Sequence, residues 1–473
     1  MSKIYVFAIG GTGSRVLRSL TMLLASGVRT QNTIVPLIID PDQANADLTR
    51  TVNLMDRYAR IHDQLTFNND EPNKFFATEI RKDVDHYRMK IDNGGGKTFG
   101  SYLDDNAPRG GRSKGEEALI HMLFSDDNLE ANMTVGFKGN PNMGSVVLNQ
   151  MEKSKEFGEF AKKFEQGDKI FIVSSIFGGT GASGFPSLFK TIRNWKGDNQ
   201  QIVKDAVVGA ISVLPYFDLK KNPDSAIDSG TFYSKTRAAL EYYNRSMTNN
   251  GGVDHMYYVG DSAKQTYDNS EGGAKQRNNA HIVELIAALA ILDFDKKDPN
   301  RNGASHTYEY GLEGNIQNGD SVTFSDLAGQ TSGLIATPLV QMMLMARLWQ
   351  NPDSVLGLKG SKVLGVQPWS KDNALDSQFF NSNFAQDMEQ TLGDFVEWLQ
   401  EMEKTFAPFD LKSEDPLNGV RGKEVNYGWF GKKGFEFLQD ALNGARKSGG
   451  TKEMRLMTLL AKATGKAVKK IEL

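Results

Sequence analysis

The chain has 473 residues, with 55 Lys and Arg against 58 Asp and Glu and a net charge of −3. This near-balance excludes a protein built to coat nucleic acid or an anionic membrane. The absence of cysteine excludes disulfides, thiolate nucleophiles, iron–sulfur clusters and cysteine-based zinc sites, and six histidines leave little for a His-rich metal centre.

The length predicts two to four domains, and 39% hydrophobic residues are ordinary for a globular protein. Met1–Ile9 runs into glycines before any long apolar stretch, and no later run reaches the roughly 18 apolar residues of a membrane span. A soluble, cytoplasmic protein is expected.

Taken in chain order, Ile4–Ile9 is an apolar run that stops at Gly10, and Arg15–Ser26 carries Val16, Leu20, Leu23 and Leu24 at helical spacing. Ile34–Ile39 is a second buried strand, ending at Asp40. Ile170–Ser174 is a third, Ala206–Leu214 a fourth, and Met256–Val259 closes the series. Continuous apolar strands separated by helices predict an α/β fold, a parallel sheet covered by helices on both faces. In such folds ligands bind beyond the carboxyl ends of the strands.

Two polar stretches interrupt the pattern. Asn68–Arg112, with NGGGK at Asn93–Lys97, reads as an insertion or surface loop, and Lys296–Asp320 as a domain boundary. Beyond it, Thr337–Trp349, Phe384–Phe406 and Lys452–Lys470 have helical patterns. The expected organisation is an α/β domain over 1–295 with an insertion near 68–112, a linker over 296–330, and a more helical carboxyl-terminal domain over 331–473. The basic stretch Lys462–Lys470 reads as a solvated helix face or, second to that, as a contact for an accessory partner, a membrane surface or DNA.

Three glycine loops follow one physical design. Gly10-Gly11-Thr12-Gly13-Ser14 follows the first strand and opens a helix. Gly178-Gly179-Thr180-Gly181-Ala182-Ser183-Gly184 follows the strand at Ile170. Gly136–Gly144, which contains Gly139-Asn140-Pro141, lies between them. A glycine loop before a helix leaves backbone N–H groups pointing outward, and the helix dipole adds positive charge there. The alternative is a set of tight turns. No Walker A sequence is present: the decoy Gly94-Gly95-Gly96-Lys97-Thr98 lacks its first glycine, since Ile91 stands there. The second strand ends in Asp40-Pro41-Asp42-Gln43, where Asp40 and Asp42 suit a hydrated magnesium ion or, equally, turn and cap chemistry.

These residues resemble the tubulin/FtsZ superfamily of nucleotide-dependent filament proteins. Gly178–Gly184 is similar to the glycine-rich signature GGGTG(S/T)G, departing from it at Ala182 and Ser183, and Phe177 stands where the signature begins with glycine. GNPNMG resembles the loop that faces the terminal phosphate, Asp42-Gln43-Ala44 a turn after the second strand, and Gly10–Gly13 the first phosphate loop. The match covers roughly 1–295. It implies GTP/GDP with Mg2+, head-to-tail self-assembly, and a GTPase whose site two neighbouring subunits share. It further implies an Asn reading the base, for which Asn278 and Asn279 are the candidates, with helix capping as the alternative. It also implies acids that reach the next subunit's nucleotide, here Asp293 and Asp295. Two other readings stay open. One is a Rossmann-type ATP- or NAD-dependent enzyme, similar to an adenylating enzyme. The other is a non-hydrolysing scaffold that kept the fold.

Overall fold

The computed structural model describes residues 2–42, 44–68, 72–91, 96–107, 111–222, 227, 229–248, 252–262, 265–270, 272–310, 312, 321–350, 364, 367–428, 431–445 and 449–473. The decoy's Gly94 and Gly95 and the candidate Gln43 lie outside these residues.

The chain opens with β1 (Lys3–Ile9), α1 (Gly10–Ala25), β2 (Thr33–Ile39) and α2 (Ala46–His62). The insertion contributes α3 (Phe99–Asp105), and after it come α4 (Lys114–Leu123), α5 (Asp126–Glu130), α6 (Pro141–Leu148) and α7 (Lys155–Lys163). Then come β3 (Lys169–Ser175), α8 (Gly179–Asn194), α9 (Gln200–Lys204), β4 (Val207–Val213), β5 (Asp218–Leu219) and α10 (Phe232–Tyr243). The sequence continues with β6 (His255–Val259), β7 (Thr266–Tyr267), α11 (Ile282–Asp295) and β8 (His306–Glu309). The rest is helical: α12 (Gly329–Gln350), α13 (Pro368–Lys371), α14 (Ser377–Phe380), α15 (Asn383–Met402), α16 (Gly434–Gly444) and α17 (Lys452–Val468).

Six strands form one parallel sheet in the order β2-β1-β3-β4-β6-β8. Every residue of β1, β2, β3 and β4 is buried, which is why these segments are continuous apolar runs without alternation. The α/β class with a helical carboxyl-terminal part is the one expected. The boundary differs: β8 extends the sheet from within 296–330, where a linker was expected. Pro36 shapes the other edge. Beyond β2, the parallel bridges among the described residues are Ile34–Ile80 and Ile38–Arg88. Pro36 lies between them and has no N–H to donate outward, so no continuous outer strand forms there.

The order of the sheet fixes where a ligand sits. From β1 the chain moves to β2 on one side and then to β3 on the other. The crossovers therefore part above β1 and β3 and leave a crevice at their carboxyl ends.

The carboxyl-terminal helices pack onto the sheet's helical layer. α15 carries Asp387, Asp394, Glu397 and Glu401 at spacings of seven, three and four residues, which places them along one face. That face meets arginines. Asp387 accepts from Arg60 at 2.6 and 2.8 Å, Asp394 pairs with Arg57, and Glu397 pairs with Arg277. Glu401 accepts from Arg18 at 2.6 Å and Arg50 at 2.5 Å. Between them Trp398 is fully buried and donates its indole N–H to Ser19. The apolar side of α17 packs on α16 and α12, leaving Lys462 and Lys469 exposed.

Candidate functional site

The three glycine loops meet at Thr180. A Cβ placed at Gly10 would lie 3.4 Å from the Cβ of Thr180, and one at Gly136 would lie 3.7 Å from its Oγ1. One at Gly179 would be 3.1 Å from the backbone nitrogens of Gly139 and Asn140. The loops thus line one cleft of about 140 Å³ in the crevice above β1 and β3. Gly10, Gly136 and Gly139 adopt φ of +70°, +97° and +73°, which glycine supplies without steric cost.

Two helix N-termini open on this cleft without a side-chain cap. α1 is preceded by Ile9 and α8 by Gly178, and neither has a side chain that accepts a bond from the first turn. Their first N–H groups are orphan donors at the positive ends of two helices, an arrangement that favours an anion. The neighbouring helices differ: Asn45 caps α2, and Asn140 caps α6 by accepting from Asn142 and Met143.

The cleft draws together most of the expected residues. Gly10, Gly11, Thr12, Asp40, Asp42, Gly139, Gly178, Gly179, Thr180, Gly181 and Asn278 line it. Others lie elsewhere, each for a packing reason. A Cβ at Gly13 would be 2.6 Å from the carbonyl carbon of Ala8, so Gly13 lets α1 cross β1 closely. Ser14 is buried beneath the helix. Ser183 turns inward to donate to the carbonyl of Gly179 at 2.7 Å. Ala182, Asn140 and Pro141 line an adjoining groove. Gly181 is present less for its open space than for its contact with β3, since its Cβ would meet the Ser175 carbonyl oxygen at 2.5 Å.

The two acids after β2 are unequal. Asp42 accepts from the backbone N–H of Ala44 at 3.1 Å and of Gly273 at 2.6 Å, so both its oxygens are engaged in holding loops. Asp40 caps the turn through Asp42 N–H at 3.0 Å. Burial, and after it the charge of Asp42, push the Asp40 carboxyl up to about 7 despite the bond from Asp42 N–H. Such a carboxylate fits a divalent cation whose other ligands are phosphate oxygens and water. Asp42 fits that role less well than the sequence suggests. Among the described residues no group of three or more His, Asp or Glu forms a metal cage.

Toward the other end the cleft is polar. Asn45 donates to the side chain of Gln276 at 2.7 Å. The main chain of Asn278 is fixed on both sides: its N–H donates to Asp47, and its carbonyl accepts from Arg50 at 2.5 Å. Asn278 therefore enters the cleft, whereas Asn279 is exposed and gives only its carbonyl, to Tyr267. Neither caps α11. That role belongs to His281, whose Nδ1 accepts from Val283 N–H while Glu284 reaches back to the His281 N–H. Burial, then the charge of Arg15, hold His281 down at about 3.

No motif or spacing singles out Arg15. It lies beside the cleft with its guanidinium wholly enclosed, donating to Glu284 at 2.5 Å, Asp47 at 3.0 Å and Tyr216 at 2.8 Å. Burial disfavours its charge, yet Tyr216, Glu284 and Asp47 outweigh burial and raise its pKa well above the usual range. Phe217, Phe232 and Phe177 form an apolar wall opposite. Their shared site is a tertiary product, since they come from three separate segments.

Asp293 and Asp295 sit at the other rim of the sheet. α11 has 14 residues and is therefore about 21 Å long. It begins beside Asn278 and ends at the amino ends of the strands, where Lys169 donates to the carbonyl of Asp295 at 2.7 Å. Asp295 is buried and accepts from Gln31 N–H at 2.6 Å and Asn32 at 2.8 Å. Asp293 is half-exposed and accepts from Tyr257 at 2.7 Å. Neither acid reaches the cleft of its own chain.

No protein-family model matches the chain, and no curated protein matches it. Among solved structures, CetZ from Methanosaeta thermophila aligns over 55% of this chain and 46% of its own, with 14% identity and a TM-score of 0.28. A GTPγS-bound protofilament of CetZ2 from Haloferax volcanii aligns over 62% and 58%, with 13% identity and a TM-score of 0.30. A GTPγS-form protofilament of TubZ from Bacillus thuringiensis serovar israelensis aligns over 86% and 83%, with 12% identity and a TM-score of 0.27. The chain thus spans about half the length of the CetZ structures it matches.

Proposed function

We propose that this chain binds a guanine nucleotide at the cleft above β1 and β3 and assembles head to tail, with hydrolysis at a site completed by the next subunit. The observation that carries the reading is the meeting of three glycine loops at Thr180 between two uncapped helix N-termini. Peptide donors already aimed at one point need no reorganisation when a polyphosphate arrives, and this is how such sites stabilise phosphoryl charge. The guanine preference rests on the resemblance of the motifs, and Asn278, which lines the cleft, is the residue proposed to read a base edge.

A divalent cation would be held at Asp40, through one carboxylate and through water. Its chemistry would be to neutralise charge on the phosphates. Head-to-tail stacking is supported by position: the cleft lies at one end of α11 and Asp293 at the other. Asp293 keeps an exposed face there, whereas Asp295 is committed to the turn before β2. An accessory partner would meet the exposed lysines of α17.

Gly11→Ala tests the cleft. A Cβ at Gly11 would make ordinary contacts, 3.5 Å from Arg15 and 3.9 Å from Asn45, so the variant folds while its methyl group enters the cleft. The expected result is an unchanged melting temperature and a GTP affinity lowered at least tenfold, read by titration calorimetry. Unchanged GTP affinity would place the ligand elsewhere. Phosphate release per molecule that falls on dilution is the expected mark of a shared site. Turnover that stays constant on dilution excludes one, and tight binding without phosphate release would favour the scaffold reading.

A further inference from the structure

Residues 276–280 form the polar end of the cleft and divide between two sides. Gln276 and Asn278 line the cleft. Arg277 pairs with Glu397 of α15, and the Ala280 N–H donates to Glu401 of α15 at 2.9 Å. Just beyond, the Ile282 N–H donates to Thr405, in the turn after α15, at 3.2 Å. Residues 276–280 belong to no helix or strand, so groups outside the segment must fix its main chain.

Arg50 on α2 is the joint. One of its guanidinium nitrogens donates to the carbonyl of Asn278 at 2.5 Å and pairs with Asp47 at 2.9 Å. Another donates to Glu401 at 2.5 Å. Asp47 in turn accepts from the Asn278 N–H at 3.2 Å. The second oxygen of Glu401 accepts from Arg18 at 2.6 Å and from Ala280. Burial would raise the Glu401 carboxyl, but Arg18 and Arg50 outweigh burial and hold it below its ordinary value. Glu401 is therefore an ionised acceptor that ties α15 to both ends of the turn at 278–280.

The phosphate side of the cleft is built differently. Gly10, Gly136 and Gly179 gather at Thr180, and none of the described residues lining the cleft belongs to α15. α15 therefore reaches the cleft through the 276–280 wall and through the arginines of α1 and α2.

We propose that Arg50 and Glu401 are positioning residues for the polar end of the cleft, which makes the carboxyl-terminal helix α15 part of the ligand site without touching the ligand. This rests on the nucleotide reading above, in which the base lies at the Asn278 end and the phosphates lie over the two helix N-termini. A wall whose peptide groups are already held needs no ordering when the base arrives. By linkage, a ligand that engages this wall favours the docked α15, and a bare polyphosphate does not.

The test compares GTP with inorganic tripolyphosphate, which has the phosphates and lacks base and sugar, by titration calorimetry on the full chain. Arg50→Met frees the Asn278 carbonyl while Asp47 keeps Arg15 and Glu401 keeps Arg18, so neither carboxylate loses its last partner and the fold persists. This variant is expected to weaken GTP about tenfold and tripolyphosphate less than twofold, because only the base end must now be ordered on binding. Glu401→Gln should act in the same direction. Asp387→Asn is the control: it weakens the α15 contact with Arg60, fourteen residues or about 21 Å along the helix from Glu401. It should lower the melting temperature and leave the ratio of the two affinities unchanged. In limited proteolysis, GTP should slow cleavage within α15 in the wild type and not in Arg50→Met.

An unchanged ratio in Arg50→Met overturns the proposal, as does an equal loss of both ligands, which would mark a purely structural contact. A shift of the ratio in Asp387→Asn as large as in Arg50→Met overturns the assignment to Arg50 and Glu401, and so does equal protection of α15 by GTP in Arg50→Met and the wild type. A wild type that does not bind GTP overturns the nucleotide reading itself. A wild type that binds GTP, with Arg50 immaterial to its affinity, overturns the positioning proposal alone.

Discussion

Asp40→Asn isolates a single charge at the cleft. The substitution keeps the side-chain oxygen that accepts from Asp42 N–H at 3.0 Å and removes only the carboxylate's ability to ionise. In the folded chain this carboxyl is pushed from 3.8 to about 7, first by burial and then by Asp42. The folded pKa is raised, so the wild type is most stable when Asp40 is protonated and loses stability as pH rises from about 4 to about 7. A separation of roughly three pH units corresponds to about 4 kcal/mol at full strength. The residue retains some solvent exposure, which reduces this to roughly 2 kcal/mol. For a chain of this length that is a melting-temperature difference of about 2 °C. Without ligand, Asp40→Asn should match the wild type near pH 4.5 and exceed it progressively up to pH 7, with a level difference above. Differential scanning fluorimetry across pH 4.5 to 8.5 reads this directly. A difference that stays constant across the range would refute an isolated ionisable carboxyl. With GTP and magnesium the order should reverse, because only the wild type gains a cation at that position.

Gly181→Ala brings a methyl group to 2.5 Å from the Ser175 carbonyl oxygen, and should destabilise the fold by about 2–3 kcal/mol in urea titration. Stability equal to the wild type would mean that α8 can shift away from β3. Glu401→Ala leaves Arg18 and Arg50 without their shared carboxylate, and Arg18 is buried. The expected loss is about 3–5 kcal/mol with early proteolysis in α15, and a loss under about 1 kcal/mol would show that α15 is not held by its charges. His281→Asn keeps a capping side chain for α11 and removes a group whose folded pKa is depressed to about 3. Wild-type stability should fall as pH drops below 6.5, by up to about 1.4 kcal/mol per pH unit, and the variant should fall less steeply. Identical acid limbs in guanidinium titrations at pH 4 to 7 would exclude His281 as a source of acid sensitivity.

Much of the fold was legible in the sequence because burial on both faces writes itself as uninterrupted apolar runs. Ile4–Ile9, Ile34–Ile39, Ile170–Ser174, Ala206–Leu214 and Met256–Val259 all lie on strands, within a residue or two of the observed ends. Helix starts were less legible. Arg15 was expected to open α1, but the helix begins at Gly10, so the glycine loop is itself the first turn. β8 is not legible in the sequence because His306–Glu309 is short and mostly exposed, carrying none of the apolar signal of an inner strand.

Local chemistry is written in the order of residues: which turns can expose peptide donors, and which strands they follow. A glycine next to a helix start has the same meaning wherever the chain goes, because its cause is the missing Cβ and the unpaired N–H. Which of these turns face one another is a matter of the assembled fold. It joined Gly10, Gly136 and Gly179 around Thr180, turned Ser14 and Ser183 away, and committed Asp42 to Gly273 while leaving Asp40 at the cleft. Those outcomes depend on sheet order and on contacts between separate segments, with Gly10 and Thr180 170 positions apart and Asp42 and Gly273 231, which no local pattern of residue types records.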